Sequence, residues 1–120
     1  MTIQKIADGL VALCRDGKFQ QAQEMYYADD ATSIEPENTS TPSVSGLAAI
    51  IQKGNYFQQA FTFHSNTVSD PLISGNYFTV HLVSDVTQNE SGHRMKLDEL
   101  VVYRVRDGKV ISEQFFYEGQ

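Results

Sequence analysis

The 120-residue sequence predicts an α+β domain in which a helical N-terminal half lies under a curved antiparallel sheet that wraps around a pocket. Three observations carry this. Apolar residues recur at helical spacing as far as Phe61 and then switch to a spacing of two. The stretch from Val101 to Tyr117 reads as a long β-hairpin, with strand formers on both arms and Asp107-Gly108 at the turn. That hairpin is rich in aromatics, as the wall of an apolar interior would be.

Ile3, Ile6, Ala7, Leu10, Leu13 and Cys14 form one stripe, which predicts a first helix from Thr2 to Arg15 ended by Asp16-Gly17. A second short helix, Phe19 to Tyr27, turns Phe19, Ala22, Met25 and Tyr26 inward and closes at Asp29-Asp30. Ala31 to Glu35 reads as a short strand stopped by Pro36. From Pro36 to Ser45, Pro, Ser, Thr and Asn dominate, the composition of a loop and a natural pocket rim. Ser45 is the expected N-cap of a third helix running through Leu47, Ile50, Ile51, Gly54, Phe57 and Phe61. Gly54 costs that helix about 1 kcal/mol of propensity, which predicts close packing there.

Four strands follow: Phe63 to Ile73, Tyr77 to Thr87, Met95 to Arg106, and Val110 to Tyr117. Successive hairpins make the sheet antiparallel. In the second strand Phe78, Val80, Leu82, Ser84 and Val86 share one face, and Tyr77, Thr79, His81, Val83 and Asp85 the other. The second face is still partly apolar, so it is expected to bury itself in a homodimer. In the third strand Leu97, Glu99, Val101, Tyr103 and Val105 share a face, and in the fourth Ile111, Glu113, Phe115 and Tyr117 do. If these faces point inward, acids and tyrosines stand among apolar residues, the usual make-up of a small-molecule site. The opposite register, with Asp98 and Leu100 inward, is equally compatible with the alternation. Leu10, Leu13, Ile50, Phe57, Val80, Leu82 and Phe115 are expected to be nearly inaccessible.

Residues 1–120 are expected to form a single domain. A net charge of −6 argues against nucleic acid as a partner, since a phosphate-binding surface needs a basic patch. No apolar run approaches the roughly 20 residues that span a bilayer, and no secretion signal is evident, so a cytoplasmic location is expected. The lone Cys14 fits that compartment and, within the first helix's stripe, reads as a small buried hydrophobe. Asn38-Thr39-Ser40 and Asn89-Glu90-Ser91 then read as polar loops. His64, His81 and His93 lack metal-ligand spacing and no phosphate or dinucleotide fingerprint occurs, so neither metal nor cofactor is expected.

Several motifs in order carry a resemblance: Tyr27-Ala28-Asp29-Asp30-Ala31-Thr32, then Glu35-Pro36, a loop, Ser45-Gly46 opening the third helix, and the Arg106-Asp107-Gly108-Lys109-Val110 hairpin. Across nearly the whole chain this resembles the nuclear transport factor two-like superfamily, in its SnoaL-like polyketide cyclase and ketosteroid isomerase-like branch. The resemblance implies a cone-shaped α+β barrel, a curved antiparallel sheet over three helices, an internal pocket and frequent homodimers. It does not imply one activity.

By the same resemblance Glu35 corresponds to the acid that serves ketosteroid isomerases as general base. At the mouth of an apolar pocket such a group loses solvation, and its pKa is expected to rise from ~4.3 toward neutrality. The family's oxyanion donors are missing, because Leu10 and Val101 stand where they would be. Tyr26, His64, Tyr103 and Tyr117 are the possible donors instead. Together with Leu82, Glu99, Val101, Glu113 and Phe115 they make up the expected substrate-contacting set, around a small apolar ligand. Two readings result: a cofactor-free isomerase, cyclase or dehydratase based on Glu35, or a non-catalytic ligand-binding or dimerisation module.

Overall fold

The first helix is opened by Thr2, whose hydroxyl accepts a hydrogen bond from the Lys5 amide at 3.3 Å in the computed structural model, which describes residues 1–118. Residues 119 and 120, the end of the expected 1–120 domain, lie outside the described residues. Helix α1 (Ile3–Arg15) buries Ile6, Ala7, Leu10, Val11 and Cys14. Helix α2 (Phe19–Tyr26) crosses it closely at Gly9, where a Cβ would lie 1.9 Å from the Tyr26 hydroxyl. Met25, expected inside, is 50% exposed. Two turns of helix present one packed stripe, and Ala22 and Tyr26, four residues apart, occupy it.

Strand β1 (Tyr27–Ile34) begins directly after α2, so Asp29-Asp30 belongs to the strand and does not close the helix. An irregularity in its pairing between Tyr27 and Thr32 lets both aspartates face solvent while Tyr27, Ala31 and Ser33 stay buried. The two-residue β2 (Val44–Ser45) pairs with β1 through Ser45 and Thr32. Ser45 is therefore a strand residue and not a cap. Gly46, at φ 95°, occupies the N-cap position of α3 (Leu47–Ala60), a backbone conformation that favours glycine. The packing expected at Gly54 is also absent: the nearest atoms to a Cβ there are the Gln23 amide atoms, 3.9 Å away.

The sheet continues with β3 (Phe61–Val68), β4 (Leu72–Ser74), β5 (Tyr77–Gln88), β6 (Arg94–Arg106) and β7 (Lys109–Phe116). The expected strand from Phe63 to Ile73 is thus two strands, broken where Pro71 has no amide to donate. The Arg15 guanidinium pins the break, donating to the Val68 carbonyl at 2.8 and 3.0 Å and to Asp70 at 3.0 Å. The strand order is β2-β1-β7-β6-β5-β3, with β4 also on β5. The four-strand meander is antiparallel as expected, but β1 joins β7 in parallel, so the curved sheet is mixed. It is also open, and the barrel expected from the resemblance does not close.

The inward faces of β5 and β6 match the alternation. Phe78, Val80, Ser84 and Val86 are buried, as are Val101, Tyr103 and Val105, while Asp98 and Leu100 are exposed. In β7 a bulge opposite Arg104 and Val105 changes the parity, so Val110 is fully buried and Ile111, expected inward, only partly so. Of the expected core, Leu10, Ile50 and Val80 are inaccessible. Leu13, Phe57, Leu82 and Phe115 are only partly buried. For Phe57, Leu82 and Phe115 the reason is that they border a cavity. Among the described residues no helix is long and apolar enough to cross a membrane.

Candidate functional site

Between the concave face of the sheet and the three helices lies a cavity of about 500 Å³. Leu10, Ile50, Phe57, Phe61, Val80, Leu82, Leu97 and Phe115 give it apolar walls. Its polar groups include Glu35, Lys53, Glu99, Glu113 and the tyrosines 27, 103 and 117, with His93 at the exposed rim.

Glu35 follows the last residue of β1, and its amide donates to Ser43 Oγ at 2.8 Å, folding the loop back over the strand end. The carboxylate is neither solitary nor at a wet rim. Oε2 accepts from Lys53 Nζ at 2.9 Å and Oε1 accepts from the Tyr117 hydroxyl at 2.6 Å, with the two charged side chains only 6% and 11% exposed. Lys53 comes from α3, one turn after the buried Ile50, so it emerges on the helix's inner side.

From Lys53 the network continues inward. Nζ donates to Ser33 Oγ at 2.6 Å, Ser33 donates to Glu113 Oε2 at 2.7 Å, and the Tyr27 hydroxyl donates to Glu113 Oε1. Burial pushes the Glu113 carboxyl above the usual carboxylate range, while the hydroxyls of Tyr27 and Ser33 and the charge of Lys53 pull it back. Burial, and then the Glu113 charge, raise the Tyr27 phenol. Tyr103, stacked on Phe78 at a centroid distance of 4.6 Å, is raised mainly by burial. Tyr117 is raised by burial and by its bond to Glu35.

Glu99 stands apart. It projects from β6 opposite Leu82, and among the described residues its carboxyl has no hydrogen-bond or ion-pair partner. Burial, then the charge of Glu35, push it up to about 7, with Lys53 acting the other way. Cys14 also lines the cavity, but burial pushes its thiol up to about 12, which leaves it an inert wall residue.

Leu82, Glu99, Tyr103, Glu113, Phe115 and Tyr117 line the cavity, the first of the two registers left open by the alternation, and Glu35, expected there from the resemblance, lines it with them. Three expected contacts do not. Tyr26 turns its ring toward Gly9 in the contact between α1 and α2. His64 is exposed and bonded to Thr87 at 2.7 Å, because its neighbour Phe63 faces the cavity and alternation turns the next residue outward. Val101 is fully buried in the core and does not line the cavity. Lys53, Ser33 and Tyr27 were not anticipated. Ser33 had a signal, alternating with Ala31 and Glu35, and so did Lys53, a lone cation three residues from Ile50 on an apolar helix.

The SnoaL-like domain profile matches residues 1–117. A protein from Mesorhizobium loti, assigned as a SnoaL-like polyketide cyclase with carbohydrate phosphatase as a second designation, is 33% identical. Its structure covers 98% of this chain and 100% of its own, with a TM-score of 0.92. A nuclear transport factor two-like protein from Burkholderia thailandensis shares the fold at 14% identity, covering 97% and 90% of the two chains with a TM-score of 0.83. A protein of ketosteroid isomerase-like fold from Catenulispora acidiphila does so at 16% identity, covering 97% and 87%, with a TM-score of 0.76. No curated protein matches the chain.

Proposed function

The chain belongs to the SnoaL-like domain family of the nuclear transport factor two-like superfamily, and on that premise we propose that it is a cofactor-free acid–base catalyst. Its reaction is of the isomerase, cyclase or dehydratase kind, on an apolar cyclic or polyketide-like substrate, with Glu35 as general base. The observation that carries this reading is a carboxylate held by two defined donors at the wall of a largely apolar cavity. A carbon acid docked there would give its proton to Glu35, the C–H electron pair passing into the adjacent carbonyl. Tyr117 and Lys53 orient the base, and positioned bases of this kind are worth ~10²–10⁴-fold in rate.

A sugar phosphate fits less well. Three carboxyls, Glu35, Glu99 and Glu113, face one ammonium across the cavity, the wrong balance for a dianion. The non-catalytic reading is favoured by one specific observation, that Leu10 lines the cavity as plain wall and Val101 is sealed in the core where family donors would stand.

Exchange of the α-protons of 2-tetralone in D2O, followed by NMR, separates the two readings. The native protein should accelerate exchange, and Glu35→Gln should abolish the acceleration while leaving tetralone binding within a few-fold, because the amide keeps the shape but takes no proton. Binding of tetralone without acceleration by the native protein would make the chain a ligand-binding module.

A further inference from the structure

We propose that Lys53 is the oxyanion-binding group of this site, holding the carbonyl oxygen of an enolisable substrate through its remaining N–H. The inference rests on the enolisation reading above, and it names a residue for the role that Leu10 and Val101 cannot fill.

Donor counting carries the argument. An ammonium has three N–H bonds. Two are committed, to Ser33 Oγ at 2.6 Å and Glu35 Oε2 at 2.9 Å, and among the described residues there is no acceptor for the third. The side chain is only 11% exposed and forms part of the cavity wall, with Nζ 5.3 Å from the centre of the Phe115 ring, so a group bound in the cavity can reach the third N–H.

Two of the nearby hydroxyls are already spent, and a third, that of Tyr103, is engaged with Tyr27. Tyr117 has a single O–H and gives it to Glu35, and Tyr27 gives its own to Glu113. Base and ammonium therefore lie side by side, as an enolisation requires. The substrate's C–H proton passes to Glu35, the C–H electron pair becomes the C=C bond, and the displaced carbonyl pair localises on oxygen beside Nζ. Lys53 keeps all its protons and stabilises charge only. Glu35 then returns the proton to carbon, or to the oxygen formed when the enolate attacks a second carbonyl. Ser33 and Glu113 are positioning residues that fix where the ammonium points.

Equilibrium binding of 2-naphthol tests this without any turnover, since its oxyanion copies an enolate and its absorbance distinguishes phenol from phenolate. The native protein should favour bound naphtholate over bound naphthol by at least about tenfold, the size of a charge-assisted hydrogen bond. Lys53→Met should remove that preference, and because it strands the Glu35 carboxylate and can unfold the protein, Lys53→Met/Glu35→Gln is measured beside it. The double variant should still bind neutral naphthol but lose the preference for the anion. Glu35→Gln alone should keep it. An undiminished preference in the double variant, its loss in Glu35→Gln, or its absence from the native protein would each overturn the assignment. Failure of tetralone exchange with the naphtholate preference intact would instead sink the enolisation reading and leave Lys53 as an anion-binding group.

Discussion

Changing Glu99 to Gln removes one ionisable group from the cavity wall with almost no change in shape, and its consequence is a stability difference that depends on pH. Burial and the Glu35 charge hold the Glu99 carboxyl at about 7 against an ordinary 4.5. Between these values the unfolded chain has lost the proton while the folded one keeps it. The folded state binds more protons, so this group makes stability fall as pH climbs through the window. Each pKa unit is worth about 1.4 kcal/mol, so the full rise amounts to about 3 kcal/mol, an upper bound because the cavity is open to water. Below pH 4.5 the native protein and Glu99→Gln should be equally stable. Above pH 7.5 the variant should be more stable, by up to about 3 kcal/mol. Urea unfolding at a series of pH values reads this as a midpoint shift at high pH of at most about 1–3 M, given slopes of ~1–3 kcal/mol per M for small domains. Glu35 and Glu113 raise Glu99 through their charges, so the difference reads Glu99 together with its coupling to these two carboxyls. Parallel pH profiles would show that Glu99 is solvated like a surface carboxyl and that the electrostatic picture of the cavity is wrong.

The two helical glycines should respond oppositely to alanine. Gly54→Ala should raise stability by about 1 kcal/mol, since its Cβ meets only Gln23 at 3.9 Å, whereas Gly9→Ala should lower it by about 1–3 kcal/mol, since its Cβ overlaps the buried Tyr26 ring; thermal melts distinguish them. We also propose that the outer sheet face, where exposed Tyr77, Leu100 and Phe116 lie around Thr79, His81 and Val83, pairs two copies of the chain. Light scattering at micromolar concentration should then show a dimer that Val83→Asp dissociates, because the new charge would be desolvated without a partner; a native monomer removes the proposal.

Much of the fold was legible because it is written in short-range periodicity. The stripe from Ile3 to Cys14, the alternation from Phe78 to Val86 and the turn at Asp107-Gly108 each carry their own signal within a dozen residues. Errors fell where long-range contacts override local preference. Ser45 looks like a helix cap but is claimed by pairing with Thr32, and Ile111 loses its inward place to Val110 through a bulge that no local pattern records. His64, by contrast, is outward by plain alternation from Phe63, which faces the cavity.

By itself, the sequence determined the three helices, the meander and which residues share a face, grouping Glu99 with Tyr103 on one strand and Glu113 with Tyr117 on the next, since side-chain alternation follows from periodicity alone; which face turns inward was left to the tertiary structure, and Glu35 was singled out by the family resemblance. Only the tertiary structure decided what those groups meet. Glu35, Lys53 and Tyr117 come from just after β1, from α3 and from just after β7, and Ser33 reaches Glu113 across 80 residues of chain. A pairing of that kind depends on how the sheet curves over α3, a property of the assembled layers. The same assembly brings Lys53 to the cavity wall and leaves Glu99, among the described residues, without a hydrogen-bond or ion-pair partner.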